Sequence, residues 1–225
     1  MEKTNQVYLN GHVGSCIILR RDEQETVAGL RFYTFIPKEN APENGRTTQR
    51  FDHMEHKVRV VAVGPDGDRL LDIERMCAKD PRIHPYELRG ILRELEDGSS
   101  IIDCRMEDLR PTDGIETNPE INNVTKISGS VVQTSYTDRY AKVLLDTGEG
   151  NVTVWFPKET FEEAWNVVKE GRMVRGTMLS LEGPLLSREY TDGKTRFVQS
   201  VLTPHIMEQE KLAKKQRHGA RRRVG

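Results

Sequence analysis

Two short stretches of the sequence, "LNGHV" at residues 9–13 and "ISGSV" at residues 127–131, share an aliphatic residue, a glycine and a valine at alternate positions. Each is followed by a related stretch, "LRGIL" at 88–92 and "VRGTM" at 174–178. A glycine inside a strand marks a bulge, a sharp bend or a close approach of two backbones. The repetition therefore predicts one structural unit that occurs twice. Chance recurrence in a chain rich in glycine and valine is the alternative.

The length of 225 residues leaves room for two small domains. Hydrophobic residues make up 36% of the chain and charged residues 31%, and no run of about 18 apolar residues indicates a membrane span. The start "MEKTNQ" lacks the apolar core of a signal peptide, and the three cysteines are widely spaced. We therefore expect a cytoplasmic protein with reduced thiols and no membrane contact.

The same order of elements is predicted around the glycines of each half. In the first half, strands are predicted at 6–19, 26–37, 57–64, 86–95 and 100–109, with a helix at 67–80. In the second half, strands are predicted at 123–135, 141–147, 151–157, 172–181 and 195–203, with a helix at 158–171. Three strands, a helix and two strands is the order of the OB-fold. The sequence thus predicts an all-β chain with short helices, folded as two tandem five-stranded Greek-key OB-fold barrels.

Composition divides the chain into four segments. Residues 1–111 form the predicted first OB domain, and "TDGIETNPEINN" at 112–123 reads as an acidic linker. Residues 124–204 form the second domain, with ten basic and ten acidic side chains. The helix or tail at 205–225 carries seven basic and two acidic side chains, which suits either phosphate contact or a solvated end.

The first half resembles the bacterial single-stranded DNA-binding (SSB) proteins over residues 5–110. "NQVYLNGHVG" at 5–14 is similar to the family's opening pattern N-x-V-x-L-x-G-x-V-G, and "KVRVVAVG" at 57–64 is similar to its third strand, W-H-R-V-V-x-F-G. "AGLRFYTFI" at 28–36 and "LRGIL" look like its second and fourth strands. The resemblance implies an SSB-like OB-fold that binds single-stranded DNA without strong sequence preference in DNA replication, repair or mobile-element transfer. It also implies a homodimer, because one-domain relatives assemble four domains, and it implies replication or repair proteins as partners.

Three features depart from that family. The family's D-P-E turn is missing after the first strand, and Lys57 stands where a DNA-stacking tryptophan is common. The chain ends in the basic "RHGARRRVG", whereas the family ends in acidic residues and a phenylalanine. Two other functions therefore stay open. One is an OB-fold interaction scaffold with little DNA affinity of its own, and the other is RNA binding.

Binders of single strands combine a positive groove with aromatic rings on which bases stack. On the second strand, alternation assigns Leu30, Phe32, Thr34 and Ile36 to the core and a second set to the groove. The groove residues predicted for the first domain are Arg31, Tyr33, Phe35, Lys57 and Arg59, with Arg46, Arg50 and Phe51 from the adjoining loop. Ordinary packing of the aromatics and a solvated edge for the cations are the competing interpretations.

The second domain offers a comparable set. Alternation along "NVTVWFP" assigns Val154 and Phe156 to the core and Trp155 to the surface, whereas Trp165 has the helical spacing of a core residue. The predicted nucleic-acid contacts are Tyr136, Arg139, Tyr140 and Trp155, with Arg188, Tyr190, Lys194 and Arg196 from the hairpin. A hairpin charged only for solubility is the alternative for the last four.

No catalytic motif is present in the sequence, which contains neither a P-loop nor a nucleophile elbow nor paired cysteines at zinc spacing. His53 and His56 have no carboxylate or cysteine trio beside them in sequence. We therefore expect no enzyme activity, no cofactor and no metal.

Overall fold

The computed structural model describes residues 2–37, 51–80, 84–189 and 195–199. Arg46, Arg50 and the tail at 205–225 lie outside the described residues. The strands are β1 Thr4–Arg21, β2 Glu25–Pro37, β3 Phe51–Val63, β4 Pro85–Glu94, β5 Ser100–Pro111, β6 Asn123–Tyr136, β7 Tyr140–Asp146, β8 Asn151–Pro157, β9 Met178–Gly183, β10 Leu185–Glu189 and β11 Thr195–Gln199. The helices are α1 Asp66–Lys79, α2 Pro119–Asn122 and α3 Glu162–Lys169.

Strands β1 to β5 close into a five-stranded barrel, here called the first barrel. β1 is antiparallel to both β2 and β4, β2 is antiparallel to β3, and β4 is antiparallel to β5. The parallel pairing of β3 with β5 closes the ring. One strand can serve both sides of a small barrel only if it bends, and β1 does so at a register shift between Val13 and Ser15. These pairings are those of the predicted OB-fold.

Alternating apolar side chains fill the first barrel. Leu9, Phe32, Leu88, Ile102 and Leu109 are fully buried. Helix α1 lies between β3 and β4 in sequence and buries Leu70 and Ile73, while two acidic residues, Asp66 and Asp68, occupy its first turn and Lys79 occupies its last. This charge order suits the helix dipole.

Strands β6 to β9 repeat part of this arrangement and are here called the second barrel, in which the described pairings give the strand order β9-β6-β7-β8, while the strand predicted at 195–203 pairs with β10 instead. β6 pairs with β7 across a register shift between Val131 and Gln133, β7 pairs with β8, and β9 pairs with β6. Val131 therefore occupies the position that Val13 has in the first barrel. Leu145, opposite Val131, is fully buried as is Phe32, opposite Val13. The strand pairing supports the repeat on which the fold prediction depended.

The second pair of related stretches, around Gly90 and Gly176, does not occupy equivalent places in the two barrels. Gly90 lies inside β4, whereas Gly176 lies in a turn with φ of 86°. The Val13 amide donates to the His84 carbonyl, and the Val131 amide donates to the Thr177 carbonyl, so Thr177 is the counterpart of His84. Counting on from these residues, Gly183 rather than Gly176 corresponds to Gly90. The similarity of "LRG" and "VRG" is thus not a structural equivalence.

Several predicted bounds were wrong. β3 begins at Phe51, so residues 51–56, which were predicted as loop, belong to the strand ladder with β2. Residues 172–177 are irregular apart from a turn at residues 175–176, and β9 begins only at Met178. Helix α3 starts at Glu162, since residues 158–160 form a turn in which the Thr160 amide donates to the Pro157 carbonyl. Helix α2 lies within the predicted linker.

The chain divides into two compact units. One contains Lys126–Gly183 together with residues 2–5, and the other contains Gln6–Thr125 together with Pro184–Val198. The β10–β11 hairpin is therefore part of the unit that holds the first barrel. Asn123 fixes its start, because its side chain donates to the Leu185 carbonyl at 2.9 Å and accepts from the Leu185 amide at 2.7 Å. Among the described helices, none has the length and apolar character needed to span a membrane.

Candidate nucleic-acid interface

Four aromatic rings cluster on the outer face of the first barrel and are here called the first platform. They belong to His12 on β1, Tyr33 and Phe35 on β2, and His53 on β3. His12 stacks on Tyr33 with 5.1 Å between ring centroids, and Phe35 lies 4.5 Å from His53. Three of the rings are half-buried and His53 is exposed, so the cluster offers π-faces to a ligand.

Two glycines allow Tyr33 to approach β1. A Cβ at Gly11 would lie 2.0 Å from the Tyr33 carbonyl oxygen, and a Cβ at Gly14 would lie 2.4 Å from the Tyr33 ring. The absence of side chains at these positions brings β2 against β1 and lets the ring cover Gly14. The glycine pattern that predicted the fold therefore also positions the first platform.

The polar ends of the first platform are held by Glu55. The Tyr33 hydroxyl donates to Glu55 at 2.9 Å, and Arg31 lies 3.6 Å from the same carboxylate. Burial and the hydrogen bond to Glu55 raise the pKa of Tyr33, so its hydroxyl stays a donor. Burial and the neighbouring His53 lower the pKa of His12, which keeps this imidazole neutral and suited to stacking.

Further along the same face, cations and carboxylates alternate. Arg59 forms a bidentate pair with Asp103 at 2.7 and 2.6 Å, and Arg93 contacts the same carboxylate at 2.6 Å. Lys57 lies directly opposite Arg31 in the register of β2 and β3. Two arginines on one carboxylate leave a net positive charge there. The groove is thus positive in places, but each predicted arginine of β2 and β3 has an acidic neighbour.

A second aromatic group, the second platform, lies on the outer face of β7 and β8. Tyr140 and Trp155 have ring centroids 4.8 Å apart, and the Lys142 ammonium lies 5.4 Å from the centre of the Trp155 ring. Ala141, Val143, Val154 and Phe156 point inward and are buried. Aromatic rings and a cation on the face opposite the core can stack bases and contact phosphates.

The structure confirms most of the predicted inner and outer faces. Leu30, Phe32 and Thr34 are buried and Arg31, Tyr33 and Phe35 are not, while Ile36's side chain lies outside the described residues. Trp155 is on the outer face, and Trp165 is buried at 4% exposure. Tyr136 and Arg139 are exposed at the end of β6 and in the following turn. The nucleic-acid role of all these residues stays a prediction.

Part of the predicted set cannot be placed. Arg188 and Arg196 lie on β10 and β11, but their side chains are outside the described residues, as is that of Phe51 at the start of β3. Tyr190 and Lys194, like the loop arginines Arg46 and Arg50, lie wholly outside them.

Three residues of the platforms were missed from the sequence. His12 lies opposite Tyr33 only because of the β1–β2 register, which strand alternation alone does not give. His53 shares the outward phase of Lys57 along β3, a signal that was available but was considered only for metal binding. Lys142 shares the outward phase of Tyr140 along β7 and could have been found in the same way.

On the inner face of β3, opposite the side that carries His53, His56 links β3 to β2 and to β10. This residue is completely buried, and its Nε2 lies 2.9 Å from the Thr34 hydroxyl while its Nδ1 lies 2.7 Å from the Ser187 hydroxyl. Ser187 also donates its amide to the Met54 sulfur at 3.4 Å. The β10 strand is therefore attached to the end of β3 whose other face carries His53.

His56 makes a specific prediction about pH. Burial lowers the pKa of His56 to about 3, so the folded state excludes a proton that the unfolded state binds below about pH 6.5. The contribution of the neutral His56 to the free energy of unfolding is therefore fully present above about pH 6.5, and it is lost as the pH falls from there towards 3. We expect the free energy of unfolding, measured in urea, to be about 2 kcal/mol lower at pH 5.0 than at pH 7.5 from this residue. His56→Gln should remove that component. The exposed His53→Gln is the matched control, and equal pH dependence in both variants would contradict the assignment.

Comparison with known proteins identifies the fold. No protein-family model and no curated protein matches the chain. A deletion mutant of the single-stranded DNA-binding protein from Thermus aquaticus is 17% identical and has a TM-score of 0.56, covering 89% of this chain and 93% of that one. The wild-type structure of that protein has 17% identity and a TM-score of 0.54, covering 90% of this chain and 93% of that one. Along most of its length, therefore, this chain has an SSB-like OB-fold.

Proposed function

We propose that this protein binds single-stranded DNA without strong sequence preference, in DNA replication, repair or mobile-element transfer. The observation that carries the proposal is the first platform on the outer strand face, in which the rings of Tyr33, Phe35 and His53 lie 5.1, 5.7 and 5.8 Å from the His12 ring. Stacking on aromatic side chains tolerates every base, because every base has a π-face. The second platform repeats this chemistry on the equivalent strands of the second barrel.

The described site favours binding over catalysis. The carboxylate beside its rings, Glu55, accepts a hydrogen bond from Tyr33 and lies 3.6 Å from Arg31, so it is engaged in holding the platform. We also propose a homodimer, so that four barrels and their platforms act on one strand, and replication or repair proteins as partners.

One observation favours a second function. Arg31 and Arg59, which were expected to attract phosphates, are paired with Glu55 and Asp103. Paired cations release fewer counterions when a nucleic acid binds. An OB-fold interaction scaffold with little DNA affinity of its own is therefore the alternative.

The test is fluorescence anisotropy with a labelled oligo-dT of about 35 nucleotides, which is long enough for several OB sites. The proposal predicts saturable binding that weakens as salt increases, with a log–log slope of about −0.7 for each phosphate contacted. Duplex DNA of the same length should bind at least about tenfold more weakly, because its bases cannot stack on the rings. Failure to bind oligo-dT at low salt, or equal affinity for the duplex, would favour the scaffold. Tighter binding of oligo-U would indicate RNA.

A further inference from the structure

Trp165 of the second barrel has two cations against its ring. The Lys158 ammonium lies 4.4 Å from the centre of the indole, and the Lys169 ammonium lies 4.8 Å from it. The indole is fixed in place, because it is buried and its Nε1 donates to the Thr137 carbonyl at 2.8 Å. A core tryptophan therefore brings two lysines from different parts of the chain against one ring, one from the turn after β8 and one from the end of α3.

Two ammonium groups on one ring repel each other unless an anion separates them. Lys3, Lys126 and Arg172 of the same unit each form an ion pair with a carboxylate. The ion pairs found among the described residues do not include Lys158, Lys169 or Arg139. Acidic residues occur nearby in sequence, namely Asp138, Glu159 and Glu162, but they make no such pair with these three cations.

Arg139 extends this positive group. Its carbonyl accepts from the Lys158 amide at 2.8 Å, which brings the turn before β7 next to the end of β8. The Arg139 side chain is exposed, and Tyr136 beside it packs edge-on against Trp165 with 6.2 Å between centroids. The cations therefore come from three places in the sequence, and the backbone hydrogen bond between Lys158 and Arg139 places the third beside the two that contact Trp165.

The second platform continues into this end of the barrel. Tyr140 directly follows Arg139 and pairs with Pro157, the residue before Lys158. A strand whose bases stack on Tyr140 and Trp155 would carry its phosphates towards the cations. Lysine acts as a point charge for phosphate, and arginine binds it through its planar fork.

We propose that Lys158, Lys169 and Arg139 form a binding site for the phosphodiester backbone of a single strand that occupies the second platform. This inference rests on the proposed function and adds Lys158 and Lys169 to the predicted contact Arg139 at the Trp165 end of the second barrel. It also gives Trp165 a positioning role, since its ring orients both lysines.

The two tryptophans of the chain make the site observable. In the variant Trp155→Phe, the tryptophan emission of the full-length protein, excited where tyrosine does not absorb, comes from Trp165 alone. We expect saturating oligo-dT to change that emission, because phosphates draw the lysine ammonium groups away from the indole. The change should disappear when Lys158→Gln and Lys169→Gln are added. An emission unchanged by saturating oligo-dT in Trp155→Phe would overturn the proposal.

Salt dependence provides the second measurement. Lys158→Gln with Lys169→Gln should reduce the magnitude of the log–log salt slope for oligo-dT by about 1.4, which corresponds to two phosphates. The matched control is Lys3→Gln with Lys126→Gln, two lysines of the same unit that already pair with Asp146 and Glu182. The control should keep the original slope. An equal slope in both double variants rejects the phosphodiester site alone, whereas no oligo-dT binding by the unmodified protein rejects the proposed function with it.

Discussion

Replacing Tyr33 and Phe35 together by leucine is expected to weaken oligo-dT binding at least about 30-fold. A base stacked on an aromatic side chain contributes roughly 1–3 kcal/mol, so the loss of two such contacts removes about 2–6 kcal/mol. Leucine keeps the two positions apolar and removes only the π-faces and the Tyr33 hydroxyl. His12 would also lose the ring on which it stacks at 5.1 Å. Anisotropy titrations of the double variant at two salt concentrations measure the effect.

Stability should change little in that double variant. Both side chains are half-buried on the outer face, whereas the neighbouring core position is filled by the fully buried Phe32. We expect the free energy of unfolding to fall by less than about 2 kcal/mol. A larger loss would mean that the rings stabilise the barrel rather than a ligand.

Tyr8 provides a closely matched control. It also lies half-buried on β1, its hydroxyl donates to a glutamate, Glu87, at 3.2 Å, and Arg89 lies 6.0 Å from its ring. The first platform has the same tyrosine, glutamate and arginine arrangement, but with three further rings. Tyr8→Leu should therefore leave the affinity within about threefold of the original value. Equal weakening by Tyr8→Leu and by the platform variant would show that no specific platform exists.

The alternation of apolar and polar residues predicted the strands correctly, because buried and exposed side chains alternate along them in the structure. Along β2, the buried and exposed side chains follow the alternation read from "LRFYTF", and along β8 the same holds for Trp155 and Phe156. The glycine–valine pattern correctly predicted the paired positions of Val13 and Val131, since both stand beside the register shift of a first strand. Local patterns of this kind predicted the faces and most of the element order, but not that the strand predicted at 195–203 pairs with β10 in the unit of the first barrel.

Sequence similarity failed where backbone geometry differs. Gly176 looks like Gly90 in its neighbours, yet its φ of 86° belongs to a turn, and the strand begins two residues later at Met178. A three-residue similarity cannot distinguish a glycine needed for close packing from one needed for a turn. The hydrogen bonds that reveal the true equivalence are made between residues far apart in the chain.

Long-range pairing also explains the incomplete prediction of the site. His12 joins Tyr33 across a strand pair, and Lys169 joins Lys158 through the ring of Trp165. The attachment of β10 to the first barrel depends on His56 and Ser187, which are 131 residues apart. No local sequence pattern predicts these contacts, because the residues that make them are far apart in the chain or lie on different elements. His12 and Lys169 were therefore missed because a second element brings them to the site, whereas His53 and Lys142 had a strand-phase signal that went unused.

Gly11→Ala is expected to have the largest effect on stability of any single substitution considered. The new Cβ would lie 2.0 Å from the Tyr33 carbonyl oxygen, 2.9 Å from its carbon and 3.0 Å from the Phe32 ring. Two of these atoms are backbone, so relief requires β2 to move away from β1 at the centre of the barrel. Overpacking of this kind costs about 3 kcal/mol or more when backbone must shift. Urea unfolding measures the loss, and Gly114→Ala is the control because nothing lies within 4 Å of its added methyl group.

Gly14→Ala separates the stability of the barrel from the geometry of the first platform. Its added Cβ would meet Cε2 of Tyr33 at 2.4 Å, and a ring can tilt away where a backbone carbonyl cannot. The loss of unfolding free energy should therefore be clearly smaller than in Gly11→Ala. Oligo-dT affinity should nevertheless fall, since the tilted ring no longer stacks on His12. Unchanged affinity in Gly14→Ala, together with a stability loss equal to that of Gly11→Ala, would mean that the glycines serve the strand ladder alone and that the position of the Tyr33 ring is irrelevant to binding.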